Sequence, residues 1–473
     1  MMFINRIGGL AVNLLKIYRL PKGTTLSEVV EHPHSVEYVI EYEHQRICPD
    51  CAGNNCVVKG HKLTHANHLP LNETGTFLTF DRTRYLCRDC HTTFFDRPDW
   101  LHPVLNITMS LYQRVVLQLT DKQSQISVAA DCGISPKMVS KIVNDITIEH
   151  PAKLPEALGM DEFSGDVGVW DKEKKKWNKK TQYLTTLCDL TNLHDGIVDK
   201  DGRNSWVIDV LEDRSLDFLK KHFTNNYTLE QRKTVKYFCC DMHGGFISLA
   251  KQLFPCAHIC FDMFHIVQRL NRAINLTRMR IQRSYVVYTD GRRSFVPGKE
   301  DDYVFLQKSS RTLIMNETEK PISCERRKAR LQRCFTLSSD LEEVYNAIQE
   351  FHALKVDPGS VDIRPALLSD WIDRHKYSDV PELRDVVNSI ANWRPYIQNT
   401  WKYLCSNASC EGLNREIKDI KRLACGYHIF SPLRKRILLT CGPIKLAYKP
   451  YSIRRERQHH NTASPEIGDP DYE

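Results

Sequence analysis

Val235-Lys236-Tyr237-Phe238-Cys239-Cys240-Asp241 is an apolar run that ends on a carboxylate, the pattern of a buried strand whose last residue reaches the rim of a sheet. Upstream, Leu158 to Phe163, with Gly159-Met160-Asp161-Glu162-Phe163 inside it, and Gln182 to Asp189 read the same way; Ala257 to Phe261 follows downstream. Helical patterns lie among them at Trp206 to Phe223, Phe246 to Leu253 and Phe264 to Met279. Strands mixed with helices in this order make an α/β structure. In such sheets, carboxylates at the carboxyl ends of neighbouring strands converge on the crevice that binds ligands. Asp161 and Asp241 therefore stand out by position among 58 acidic residues.

Beyond this core the chain turns largely helical from Ile281 to Tyr403, with long amphipathic stretches at Leu341 to Leu354 and Pro381 to Tyr403. The 473 residues imply two to four domains, and 41% apolar with 26% charged residues excludes disorder throughout. No stretch approaches the roughly 18 to 20 apolar residues of a membrane helix, and the N-terminal apolar run is broken by Asn13 and Lys16. A cytosolic protein without membrane partners is expected. Seventeen cysteines at mostly irregular spacing argue for a reducing compartment rather than a disulfide framework. The net charge of +8 is concentrated: Lys402 to Arg457 holds 13 Lys and Arg against 4 Asp and Glu, which points to a polyanionic partner.

Two C-x2-C pairs, Cys48-Pro49-Asp50-Cys51 and Cys87-Arg88-Asp89-Cys90, flank a strand-rich insert of 35 residues that includes Thr76 to Phe80. A two-residue spacer lets both thiolates of a knuckle point into one tetrahedral site, so Cys48, Cys51, Cys87 and Cys90 are the expected ligands of one structural Zn²⁺. Cys56, His61, His65, His68 and His91 are the available substitutes. From Thr108 to Ile148 the pattern is helical. Ala129 lies four residues before Gly133, and Val139 and Ile142 lie six and nine after it. That spacing fits a helix-turn-helix, with Gly133 at the turn and Ser135-Pro136 starting the second helix. Its outward residues Lys137, Ser140, Lys141 and Asn144 suit phosphate and base-edge contacts.

Glu411 sits in a helical segment whose Leu413, Ile417, Ile420 and Ala424 repeat toward a core. Another side carries Glu411, Asn414, Arg415, Lys418 and Arg422, a carboxylate followed by a basic stripe. Three carboxylates can hold two Mg²⁺ ions for in-line phosphoryl transfer, with the adjacent cations gripping the phosphate backbone.

Taken in order, the C-x2-C pairs, the helix-turn-helix, Gly159 to Phe163, Cys240-Asp241-Met242, Phe261-Asp262-Met263-Phe264-His265 and Cys410-Glu411-Gly412-Leu413-Asn414-Arg415-Glu416-Ile417-Lys418-Asp419-Ile420-Lys421-Arg422 resemble the ISL3 family of bacterial insertion-sequence transposases, over about residues 45–440. The resemblance implies an RNase H-like DDE core with Asp161, Asp241 and Glu411 as catalytic carboxylates. Asp262 and His265 match a supporting C/D-x2-H motif of related groups, and Lys418 falls where many DDE enzymes carry a residue that grips the transposon end. The expected organisation is an N-terminal region with the zinc ribbon at 1–100, a helix-turn-helix DNA-binding domain at 105–150, the first part of an α/β RNase H-like core at 155–280, a mainly helical insertion at 281–400, the final part of the core with the glutamate helix at 401–445, and a charged tail at 446–473. The implied activity is Mg²⁺- or Mn²⁺-dependent cleavage at element ends, freeing a 3′-OH that attacks target DNA. Expected partners are double-stranded DNA, both terminal inverted repeats and target, with the chain acting as a homo-oligomer, a dimer, on DNA in the bacterial cytoplasm and nucleoid. A transposase-derived, non-catalytic DNA-binding regulator is the alternative, and three intact carboxylates speak against it. A relaxase-type reading fits badly, because the H-x-H at His32-Pro33-His34 carries a proline unsuited to a strand-borne metal pair.

Overall fold

The computed structural model describes residues 19–71, 74–171, 173–174, 176–198, 203–289, 291–319, 324–356, 363–405, 408–423 and 429–443; Ala424 and the expected tail at 446–473 lie outside them. The described residues divide into two compact units. One is built from the chain up to Gln118 with Ala130–Ile134, the other from Leu119–Ala129 and Ser135–Pro443, so the division falls inside 105–150.

In the first unit, β1 (Thr24–His32), β2 (Ser35–Tyr42), β3 (Cys56–Leu71), β4 (Thr74–Cys87) and β5 (Thr93–Phe95) form a sheet in the order β1-β2-β4-β3, with β5 on β4. β3 and β4 make one long antiparallel hairpin whose base is the pair Cys56↔Cys87. Tyr38, Ile40, Leu78 and Phe80 recur at two-residue spacing and pack with Ala66 and Leu101 into its core. Gly133 belongs to this unit at φ +62°, and a Cβ there would meet the Gly75 Cα at 2.8 Å, so the backbone approach requires glycine. Helices Gln125–Asp131 and Pro136–Asp145 flank that turn. Ser135 caps the second, its hydroxyl accepting from the Met138 amide, with Pro136 in the first turn.

The second unit is mixed α/β. β6 (Ala157–Asp171), β7 (Lys176–Asp189), β8 (Trp206–Leu211), β9 (Tyr237–Cys240) and β10 (His258–Phe261) run in the order β10-β9-β6-β7-β8. β6, β9 and β10 pair in parallel, while β7 and β8 pair antiparallel. The helix expected over Trp206 to Phe223 is corrected: Trp206–Leu211 is a strand on the β7 edge, and the helix begins only at Leu216. The short apolar run with Val207, Ile208 and Val210 suits either structure by periodicity, and pairing with β7 decides it.

One face of this sheet, carrying Leu158, Met160, Leu187, Phe238, Cys240, Ile259 and Phe261, shares a single apolar core with the helices that follow. After helix Met263–Ser284 come a hairpin of β11 (Val286–Thr289) and β12 (Arg292–Phe295) and then a run of helices ending in Pro381–Tyr403. That last helix seals the open edge of β10. Asn399 Nδ2 donates to the Ile259 carbonyl at 3.0 Å, and the Thr400 hydroxyl accepts from Phe261 N at 2.8 Å. The chain then returns to the opposite face of the sheet as helix Ala408–Leu423, followed by Phe430–Cys441.

Candidate active site and metal centre

Asp161 does not end its strand, as the sequence suggests. β6 runs on to Asp171 in register with β7, whereas its pairing with β9 stops at Gly159↔Cys239. Asp161 therefore lies two residues past the last parallel pair, on the face opposite the apolar core, where β9 has already ended and Asp241 follows. It is 7% exposed. Burial, and after it the Asp241 charge, push its carboxyl up to about 7.

Asp241 lies just beyond β9, and its Oδ1 sits 2.9 Å from His265 Nε2. That contact pushes the imidazole up to about 9, so His265 is cationic at neutral pH. Asp262, immediately after β10, is buried and caps helix Met263–Ser284 by accepting from the Phe264 amide at 2.9 Å. The cap aims the first turn so that His265 meets Asp241. Ligand atoms of Asp241, Asp262 and His265 all lie within 4.8 Å of one another. Asp241 and His265 also line a 950 Å³ cleft whose other walls include Arg269, Arg272 and Glu382.

Glu411 is half-buried in the first turn of Ala408–Leu423, and burial, then the Asp262 charge, push its carboxyl up. Leu413, Ile417 and Ile420 are buried as the periodicity requires, and Arg415, Lys418 and Arg422 are exposed. Asn414 is a correction to the expected DNA-facing stripe. It is buried, its Nδ2 donates to Asp161 Oδ2 at 2.6 Å, and its Oδ1 accepts from the Thr186 hydroxyl at 3.1 Å. One helical turn separates it from Glu411, so the same turn that carries one carboxylate holds another. Position i+3 from Glu411 carried that information, but a polar residue beside Arg415 reads as surface. Lys421, not singled out by sequence, donates to the Ser164 carbonyl on β6.

On helix Pro136–Asp145, Lys137, Lys141 and Asn144 are exposed. Ser140 departs from the expected outward set: its hydroxyl is engaged with Gln125 Oε1 at 2.9 Å and the Pro136 carbonyl.

In the first unit, Cys48, Cys51, Cys87 and Cys90 bring their sulfurs within 4.8 Å of one another, with Cys48–Cys90 at 3.5 Å and Cys51–Cys87 at 3.6 Å. A tetrahedral Zn²⁺ with bonds of about 2.3 Å needs sulfur–sulfur edges of about 3.8 Å, so the set is close to the size a zinc ion requires. Each knuckle turns on a left-handed residue after its second cysteine, Ala52 at φ +56° and His91 at φ +61°. The aspartate of each C-x-D-C is held from beyond the other knuckle: Thr92 donates to Asp50 at 2.7 Å and Asn55 to Asp89 at 2.9 Å. Cys56 and the histidines at 61, 65, 68 and 91 stand outside this group.

A family model for ISL3-type transposases matches residues 173–437, more than half of the chain. The chain belongs to the ISL3 family of transposases. Asp241 and Glu411 fall inside the matched span of this family, and Asp161 lies just ahead of it. The ISL3 chain is also similar to the transposase for insertion sequence element IS1001 of Bordetella parapertussis, at 22% identity over 388 residues that cover 80% of this chain and 85% of the relative. Among the described residues, no helix of this transposase family member is long and apolar enough to cross a membrane.

Proposed function

We propose that this chain is an insertion-sequence DDE transposase that binds element ends, cleaves DNA strands and transfers the freed 3′-OH to target DNA. The observation that carries the reading is Asn414, which ties the Glu411 helix to Asp161 on the sheet face where Asp241 follows β9. On this reading the second unit is an RNase H-like core with a helical insertion.

The donors fit a hard divalent cation. All three are carboxylates, and Asp161 is buried and disfavoured as an anion by its neighbour Asp241, a conflict that a cation between them relieves. Asp161, Asp241 and Glu411 would hold two Mg²⁺ or Mn²⁺, which when bound supply activation of the attacking oxygen and stabilisation of the leaving one. His265 contacts Asp241 at 2.9 Å and holds its orientation. Asn414 fixes the Asp161 carboxylate. Exposed Arg415, Lys418 and Arg422 follow Glu411 along the helix and provide charge for the DNA backbone. Helices Gln125–Asp131 and Pro136–Asp145 act as a helix-turn-helix that reads the ends through Lys137, Lys141 and Asn144, and Cys48, Cys51, Cys87 and Cys90 hold one structural Zn²⁺. The working form is a dimer on DNA.

Asp241→Asn tests the assignment. It should abolish cleavage of a labelled element-end fragment in Mg²⁺ while leaving end binding, measured by gel shift, nearly unchanged. Parental cleavage by the variant would overturn the catalytic reading.

A further inference from the structure

Beneath the carboxylates lies a layer of sulfur. Strand alternation puts Cys239 on the same face as Asp241, two residues deeper in the sheet, and Cys260 is its register partner on β10. The third sulfur comes from far away in sequence. Helix Pro381–Tyr403 ends at Leu404 in the left-handed region, φ +50°, which turns the chain back so that Cys405 reaches the sheet. The three thiols are buried, their sulfurs lie within 4.8 Å of one another, and Cys239 and Cys405 are in contact at 2.8 Å, inside the sulfur–sulfur edge of about 3.8 Å that a bound cation sets, so binding would part these two sulfurs.

Each element brings an aromatic ring two residues before its cysteine: Tyr237 before Cys239, His258 before Cys260 and Tyr403 before Cys405. The rings pack together beside the sulfurs, Tyr403 stacked on His258 at 4.3 Å and 5.3 Å from Tyr237. Cys240 supplies the internal contrast. It points to the other face and packs with the apolar core as an ordinary small hydrophobe, whereas Cys239, Cys260 and Cys405 are not part of that core.

We propose that Cys239, Cys260 and Cys405 form a second thiolate site, for a soft d10 cation of the Cu⁺ or Zn²⁺ kind. Three sulfurs with no oxygen or imidazole donor in the group select such ions over Mg²⁺. Binding releases the thiol protons to solvent and changes no oxidation state. A bound cation would cross-link β9, β10 and the segment leading into the Glu411 helix, setting the spacing of the layer above it. This inference does not rest on the catalytic role given to the carboxylates.

The test is a metal count on the full-length chain, purified reduced and without oxygen, then loaded separately with Zn²⁺, Cu⁺ and, as a spectroscopic probe, Cd²⁺. The parent should hold two thiolate-bound cations, with Cd²⁺ charge-transfer absorbance for seven thiolates. Cys405→Ala should fall to one cation and four thiolates, and Cys48→Ser should retain the buried cation. A parent whose cation is lost in Cys48→Ser, or an unchanged count in Cys405→Ala, overturns the proposal, as does a Cys239–Cys405 disulfide mapped in the reduced preparation. Should Cys405→Ala fail to fold, alkylation mapping of the parent decides. Protection of Cys239, Cys260 and Cys405 that a thiol-competing chelator removes supports the site, and protection that the chelator leaves intact overturns it.

Discussion

The amide of Asn414 spans two elements, donating to Asp161 on β6 and accepting from Thr186 on β7 while its own backbone continues the turn that begins at Glu411. A buried carboxylate with a pKa near 7 has little to fix its orientation beyond such contacts, the other here being the Glu162 amide at 2.7 Å. Asn414 is a positioning residue, and its loss should act through Asp161. Asn414→Ala is expected to lower cleavage about 10- to 100-fold, the range for losing a group that orients a metal ligand, with part of the rate recovered at higher Mg²⁺. Asn414→Asp sets a second carboxylate against Asp161 and should cost more. Cleavage rates measured across a Mg²⁺ titration check both, and equal rates for parent and variants would show that Asp161 needs no such support.

Within the helix Ala408–Leu423, Lys418 is the contrast to Asn414. It lies seven residues from Glu411, about two turns along nearly the same side, and is exposed. Lys418→Ala should impair joining of the cleaved end more than cleavage, and added Mg²⁺ should not rescue it, because on the proposed function the lost group meets DNA and not metal. Parental joining across a salt titration would move the functional stripe to Arg415 and Arg422. Helix Pro136–Asp145 carries the corresponding test for end recognition: replacing Lys137 and Lys141 together with Ala should weaken end binding and flatten its log-log salt dependence by up to about two units. The elements were legible in the sequence where period and chemistry agree, as at Val235 to Asp241, at Pro381 to Tyr403 and at the two C-x-D-C knuckles. They were not legible where long-range pairing decides. Trp206–Leu211 becomes a strand only because β7 offers an edge, Asp161 leaves the strand end because β6 outruns β9, and Asn414 turns inward because two strands wait for its amide. The sulfur layer was hidden for the same reason, since Cys405 meets Cys239 across 166 positions of chain.

At the scale of the second unit, the last helix among the described residues, Phe430–Cys441, closes the unit. Arg434 donates to Asp209 at 2.6 Å and to the Ile148 carbonyl, Arg436 to the carbonyls of Asp121 and Gln123, and Lys435 to that of Asn144. Around the fully buried Asp209 the cluster includes His150, in contact with its carboxylate, and His222, whose ring lies 5.0 Å from that of His150. Burial, then the His150 charge, push His222 down to about 4, while the Asp241 contact pushes His265 up to about 9. The two histidines therefore limit stability from opposite sides. His222 is neutral in the fold but takes a proton near pH 6.5 in the unfolded chain, so stability is complete above that pH and is lost as pH falls toward 4. The loss amounts to roughly 2 kcal/mol at pH 5 if the shift is fully realised. His265 has the reverse sign: its contribution is complete below about pH 6.5 and is lost as pH rises through 9. Glu382 beside Arg280 loses its contribution only below the ordinary carboxylate range, but Asp161, raised to about 7, adds stability as pH falls through the interval between pH 4.5 and 6.5, so His222 is read there from the difference between parent and variant and not from the parent's slope. In Mg²⁺-free buffer, the unfolding midpoint of His222→Phe should rise relative to the parent's as pH falls across that interval, and that of His265→Gln should rise relative to the parent's as pH increases between about 7 and 9. An acid limb as steep in His222→Phe as in the parent would mean that the cluster opens to water before it titrates, and that Arg434, rather than burial of the imidazole, is what ties the last helix to Asp209.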